Sequence, residues 1–458
     1  MGAILSRGEG AREPSDVVFH CLVGLSLASL SAMRRKKLVL WTCVILAILI
    51  LGPLGIVLFL FQDEPPSPDD DLRPVRREVP DEANGFFALD LKEGDVFWPE
   101  DDEKIASAND SFDAAEARSM IERNSKVFEK VAQSLAALEF QVPAMTSYND
   151  TLPYLLAWRL LAFSLACRQR LLLEEGKLDE AMGVSLSLIQ LGHRIQQAQG
   201  VVIHFLIGMA FKSMGIERAI QVIEKDPLAA GRLIRLAKEL ERLPAADEAL
   251  RDALRQEYVC FASTIELMAQ GKLSVDLLEI HPAGPELFLK IPFFLQPNTT
   301  KRLAGEFFRS LLSSISKPMA ETVPWDFTRR YGAEGVGMWL RPNSVGRRGL
   351  LILLPSIQST PNQLRIEGFQ MSALRALVAL KRFRIARERL PASLADLVPD
   401  YLPDVPVDPF DGKPLRYSAE KRLIYSVGED LKDSGGSEAE EFWEALSDKK
   451  EPTLRIRA

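Results

Sequence analysis

The chain has 458 residues, a formal net charge of −7 and a pI near 5.5. This balance excludes a nucleic-acid binder of the usual kind, which needs clustered Lys and Arg to displace counterions from phosphates. An apolar content of 47% suffices for packed cores and excludes disorder over the whole length, and four cysteines are too few for a disulfide scaffold.

Residues 1–32 read as an extension unlike the rest, with a polar opening and a short apolar run; Met33, directly before a basic cluster, would itself serve as a protein start. Arg34, Arg35, Lys36 and Lys37 precede LVLWTCVILAILILGPLGIVLFLF, which runs from Leu38 to Phe61 without an ionisable residue. At about 1.5 Å per residue that run makes roughly 36 Å of helix, against a hydrocarbon core of about 30 Å. Residues 33–61 are therefore expected to form a signal-anchor in membrane lipid, with Gly52, Pro53 and Gly55 tolerated as a local kink. Basic residues stay in the cytoplasm, which places the N-terminus there and the C-terminal bulk outside the cytoplasmic membrane.

Residues 62–110 open with DEPPSPDDDLRPVRREVP, which reads as an extended Pro- and Asp-rich spacer that buries nothing. The aromatics of NGFFALDLKEGDVFWPE are expected to dock on the following domain. Residues 111–317 show helical periodicity throughout. The first helix, capped by Ser111 or Asp110, places Met120, Val127, Val131, Leu135 and Leu138 on one face. Further helices are expected over Leu152 to Glu175, directly after Gly176, over Val201 to Ile223, Pro227 to Glu241, Asp247 to Gln270 and Thr300 to Ser314. Cys167 and Cys260 lie on apolar helical stretches, where a thiol acts as a small hydrophobe, and the sequence leaves open one disulfide between them. Residues 318–362 read as an irregular connection in which GLLILLP is a buried strand or a short helix.

A helix over Gln363 to Arg389 then leads into LPASLADLVPDYLPDVPVDPFDGKPLRYSAEKRLIYSVGEDLKDSGG. Asp411 and Gly412 make a turn suited to a left-handed residue, and Pro414 to Ser418 and Leu423 to Val427 have β composition, which predicts a hairpin packed on the helix before it. The segment 374–436 resembles the C-terminal head of type II secretion major pseudopilins. The resemblance is carried by Leu390, Pro391, Leu394, Asp408, Pro409, Phe410, Gly412, Pro414, Tyr417, Tyr425, Ser426, Gly428, Asp430, Asp433, Gly435 and Gly436. It implies a small α+β head over 363–436, a bacterial envelope setting, and a calcium ion at Asp430 and Asp433, the rival reading of which is a solvated turn. Residues 437–458 read as a polar tail.

No motif fixes a reaction. His193 and His204 have no carboxylate at ligand spacing, and Ser314 with Lys317 matches Ser-x-x-Lys although Pro318 follows at once and no later lysine-threonine-glycine strand accompanies it. The expected fold is mainly α: an N-terminal transmembrane helix, an extracytoplasmic helical domain and a small α+β head. The expected function is a non-enzymatic, single-pass envelope protein with an interaction or scaffolding role and envelope proteins as partners. The alternative is an anchored envelope hydrolase, with a cleft around Asp326, Glu334 and neighbouring arginines.

Overall fold

The computed structural model describes residues 40–56, 59, 61–99, 113–226, 229–274, 293–332, 336–439 and 442–457. The chain divides into two compact units, 1–62 and 63–458. In the first, residues 40–56 form helix α1, and every one of them is exposed, including Leu40, Trp41, Ile45, Leu49 and Ile56. No helix among the described residues is long and apolar enough to cross a membrane. Leu38 and part of the run toward Phe61 lie outside the described residues.

The second unit is built from helices α2 (Gly85–Leu89), α3 (Ala114–Arg123), α4 (Ser125–Ala136), α5 (Leu155–Glu174), α6 (Leu178–Gln196), α7 (Val202–Lys225), α8 (Ala230–Glu241), α9 (Asp247–Ala269), α10 (Pro297–Ser314), α11 (Phe327–Tyr331), α12 (Ser344–Gln358), α13 (Thr360–Arg387) and α14 (Phe442–Leu446). Strands β1 (Arg416–Ser418), β2 (Leu423–Tyr425) and β3 (Thr453–Arg455) form one antiparallel sheet in the order β1-β2-β3, pairing Tyr417 with Ile424 and Ile424 with Leu454.

The long helices fall where apolar periodicity puts them, but several local expectations need correction. The expected first helix is broken at Asn124, whose buried amide accepts from Phe97 N at 2.8 Å and donates to Phe97 O at 2.8 Å, a side-chain pairing that competes with the helix. Asp113 caps α3 by accepting from Ala115 N and Glu116 N; the expected caps Ser111 and Asp110 lie outside the described residues. Met120, Val127 and Val131 are buried as expected, whereas Leu138, beyond the end of α4, is exposed. GLLILLP lies in α12, with Pro355 inside the helix.

The acidic spacer is docked from Asp63 onward. Asp63 accepts from Asn298 N at 2.8 Å and Thr299 N at 3.1 Å, the unpaired amides at the start of α10. Glu64 pairs with Arg302, Asp71 with Arg309 through two bonds of 2.7 and 2.8 Å, and Leu72 is fully buried. Asp63, Glu64 and Asp71, in the spacer expected to bury nothing, cap or pair with α10. The polar tail is also corrected: β3 completes the sheet, and Leu454 and Ile456 join the core that contains Ile424. The expected docking of the aromatic segment is observed, with Phe86 edge-on to Tyr154 and Trp158.

Among the described residues, two small satellites around Met120 and Met145 accompany two large hydrophobic cores. One gathers α4 to α8, most of α13 and the head; the other gathers α9, α10, α12 and Leu72. Among the described residues, α7 and α13 contribute buried side chains to both. Val202 and Phe205 belong to the second core and Phe211 to the first; Leu364 belongs to the second and Phe369 to the first.

Candidate functional site

The step between the cores on α7 and α13 is occupied by Lys212 and Glu367, side chains 3% and 4% exposed. Lys212 Nζ donates to Glu367 Oε1 and, at 3.0 Å, to Gln196 Oε1; Gln196 Nε2 donates to Glu367 Oε2 at 2.5 Å. Each carboxylate oxygen thus has a donor, and the ammonium has two acceptors, as a buried charge pair requires. Glycines bring the backbones close enough for this ring. A Cβ at Gly192 would lie 2.5 Å from Gly208 O, and one at Gly208 would lie 2.6 Å from Gly192 O. Gln196 and Lys212 stand one turn beyond those glycines, so the close approach of α6 and α7 sets them side by side.

Polar contacts continue outward. Ser213 Oγ donates to Gln370 Oε1 at 2.7 Å, and Gln370 Nε2 donates to Ser447 Oγ at 3.5 Å. His193 is buried with Nδ1 unpartnered; burial first, then Lys212 and Arg194, lower its pKa to about 4. A cavity of about 200 Å³ lies over the pair, lined by Lys212, Glu367, Arg365, Arg375 and Pro409 among others. A second, mostly apolar cavity of about 300 Å³ shares Leu243, Pro244, Ala245 and Arg375 with it.

The head holds a second buried carboxylate. Asp408 is fully buried and accepts from Phe410 N at 2.9 Å, Ser426 Oγ at 2.8 Å, Val427 N at 3.1 Å and Arg416 Nη1 at 2.7 Å. Arg416 also pairs with Asp411 and Asp433. Burial works against its charge, but Asp411, Asp433 and Asp408 outweigh it and hold the guanidinium pKa above its usual value. Gly412 and Gly428 take φ of 75° and 62°, conformations that favour glycine, and Gly428 N donates to Ser426 Oγ at 3.1 Å. Tyr417 OH donates to Pro391 O at 3.4 Å. Carbonyls of Pro409 and Phe410 accept from Met319 N and Ala320 N, which ties the head to the segment after α10. Asp408, Pro409, Phe410, Gly412, Tyr417, Ser426 and Gly428 therefore serve one folded lock.

The expected calcium residues do not converge as a ligand set. Asp433 is engaged by Arg416 Nε at 3.0 Å and Tyr425 OH at 3.2 Å, while Asp430 accepts from Lys432 N. Among the described residues, no group of three or more His, Cys, Asp or Glu is placed to hold a metal ion. A carboxylate neutralised by arginine is a poor cation ligand, so these donors do not fit calcium as they stand.

The other sequence candidates take structural places. His204 shares a 2.9 Å hydrogen bond with Tyr154 OH and lies on α7, whereas His193 lies on α6; burial lowers the His204 pKa to about 4. Ser314 Oγ donates to Leu311 O. Asp326 is exposed and caps α11 through Arg329 N at 2.9 Å, and Glu334 lies outside the described residues. Cys167 and Cys260 are separate, buried thiols, and burial pushes Cys167 up to about 11. The residues that sequence reasoning missed are Gln196, Lys212 and Glu367. Comparison with family models, curated proteins and solved structures returned no match.

Proposed function

We propose that this chain is a non-enzymatic, single-pass protein of the bacterial envelope, anchored in lipid through residues 38–61 with its N-terminus in the cytoplasm. The body beginning at Asp63 then works outside the cytoplasmic membrane as an interaction or scaffolding module for other envelope proteins. The observation that carries this reading is an uninterrupted, unionisable run whose described helix, α1, exposes every side chain. An apolar surface of that extent is unfavourable in water and favourable in lipid. The basic cluster before it supports the proposed orientation.

An interaction role is supported by how the polar side chains are engaged: Asp408, Glu367, Ser314, Asp326 and His204 are each tied into caps, turns or buried pairs. The pseudopilin-like head suggests a link to secretion or pilus-like machinery, through the turn and hairpin built around Asp408.

The test is cysteine labelling with a membrane-impermeant reagent in intact cells, any outer membrane being permeabilised first. The probe is Glu420→Cys, at the exposed hairpin connection, in a variant lacking the four native cysteines. Labelling before the inner membrane is opened is the expected result. Labelling only afterwards would place the head in the cytoplasm and overturn the orientation; recovery of the full chain in the soluble fraction would overturn the anchor.

A further inference from the structure

Asp63 and Asn343 are both fixed to the start of α10. Asp63 holds the amides of Asn298 and Thr299, while the buried Asn343, directly before α12, accepts at Oδ1 from Gln296 N and from Thr300 Oγ1, each at 3.0 Å. Gly346, in the first turn of α12, packs directly on Thr300. Leu340 and Arg341 precede Asn343 by three and two residues, and Arg347 and Arg348 follow Gly346. Asp63 is joined through Gln62 to Phe61, the last residue of the apolar run. On the anchored reading proposed above, on which this inference rests, the lipid that receives that run therefore ends within two peptide units of Asp63, at most about 8 Å of chain. A headgroup layer about 5–7 Å deep then reaches the start of α10 and the residues bound to it.

The side chains held there suit that neighbour. In a chain of net charge −7, residues 335–366 contain four arginines and no acid. Arg365 is turned inward to the carbonyls of Ser314 and Lys317, which leaves Arg341, Arg347 and Arg348 near α10. The acids at this end of α10 are already engaged: Asp63 by backbone amides, Glu64 and Glu306 by Arg302. Arg341 is exposed and forms no ion pair among the described residues. Arg347 keeps a buried, unpartnered Nε, and burial, then Arg341 and Arg302, lower its pKa against the support of Glu64. Leu340 is 79% exposed. Basic side chains beside an exposed leucine are the two features with which a protein surface settles on anionic lipid.

We propose that Leu340 and Arg341, with Arg347 and Arg348, dock on anionic lipid in the leaflet where the anchor ends, the arginines meeting headgroup phosphates and Leu340 entering the interface. Lipid is favoured over a protein partner because the tether at Asp63 keeps it at high effective concentration.

The test places a nitroxide, itself apolar, on Leu340→Cys in the full chain lacking its native cysteines. Its collisions with a water-soluble nickel chelate are measured in nanodiscs of phosphatidylcholine with and without phosphatidylglycerol. A second sample, labelled at Leu49→Cys, reads anchor insertion. The label at 49 is expected to be shielded from nickel in both lipids. The label at 340 is expected to become shielded when phosphatidylglycerol is present and to be released by salt. Arg341→Gln, at an exposed position, is expected to lower the ratio of docked to undocked label about fivefold. A label at 340 that stays in water in both lipids while 49 is shielded would overturn the docking and leave the anchor standing; exposure at 49 would overturn both. Shielding at 340 that is equal without phosphatidylglycerol, or that requires two copies of the chain in one disc, would assign the surface to another partner and overturn the proposal.

Discussion

Two of the carboxylates buried among the described residues are held in contrasting ways. Asp408 in the head has four donors, three of them from within nineteen residues of chain and one from an arginine eight residues away. Glu367, between the cores, has two, contributed by side chains 155 and 171 residues distant. The head is thus over-determined by local turns, whereas the pair between the cores depends on three helices having packed correctly. A charge fixed by its own loop tolerates disturbance elsewhere; one fixed by helix packing reports on the whole body.

The largest expected effect comes from Glu367→Ala, which leaves Lys212 buried without its counter-charge. Breaking a buried pair in this way costs about 3–5 kcal/mol, and replacing both residues together by Met and Leu is expected to recover most of it. Denaturant unfolding of the two variants beside the parent protein measures both numbers. Equal losses in the single and double variants would show that packing, not charge, sets the cost.

Acidification separates the two regions next. His193 and His204 have pKa values near 4 when folded and an ordinary value of 6.5, so between these limits the unfolded chain binds more protons. Stability is therefore unaffected above pH 6.5 and falls as the pH drops toward 4, by up to roughly 3 kcal/mol per histidine. In the head, burial raises the Asp411 pKa, but the hydrogen bonds from Arg416 and Lys413 N and the charges of both residues together outweigh it and hold the carboxyl below its ordinary 3.8, so its contribution persists until the pH falls below that value. Melting temperatures from pH 7 to 4.5 should fall, with amide exchange rising in α6 and α7 before β1 and β2. A flat profile for His193→Gln with His204→Gln would assign the slope to them.

Asp408→Asn is expected to cost about 2–3 kcal/mol, the scale of hydrogen bonds to a charged group, and to appear as faster amide exchange in β1 to β3. Global loss of the helical body would contradict the local character assigned to this lock. The smallest effect is expected from Asp71→Asn, which removes an exposed pair with Arg309 of α10 whose loss costs less than about 1 kcal/mol and shrinks further in salt.

Legibility in the sequence follows the same division. The long helices and the hairpin were readable because their signals are local: apolar spacing, Gly176 after α5, and the Asp411–Gly412 turn. The spacer was misread because Asp63, Glu64 and Asp71 find their partners more than 230 residues away. Asn124 looked like an ordinary helix residue because nothing nearby marks Phe97 as its partner. Nothing local in the sequence singles out Lys212 and Glu367, which stand 155 residues apart. One signal was available: α13 carries apolar residues on every side, so it has to be buried, and its charged residues then need partners.

The clamp of residues 63–71 on α10 also orders events in time. Asp63 leaves the ribosome some 235 residues before Asn298 and Thr299, whose amides it accepts from. At about 5–20 residues per second, that is a wait of roughly 10 to 50 s. Over this interval the nascent segment carries unanswered negative charge beside a half-made chain, and the second core cannot close over Leu72. Early release of the chain or a pause before α10 would leave that acidic strand open to whatever binds it first.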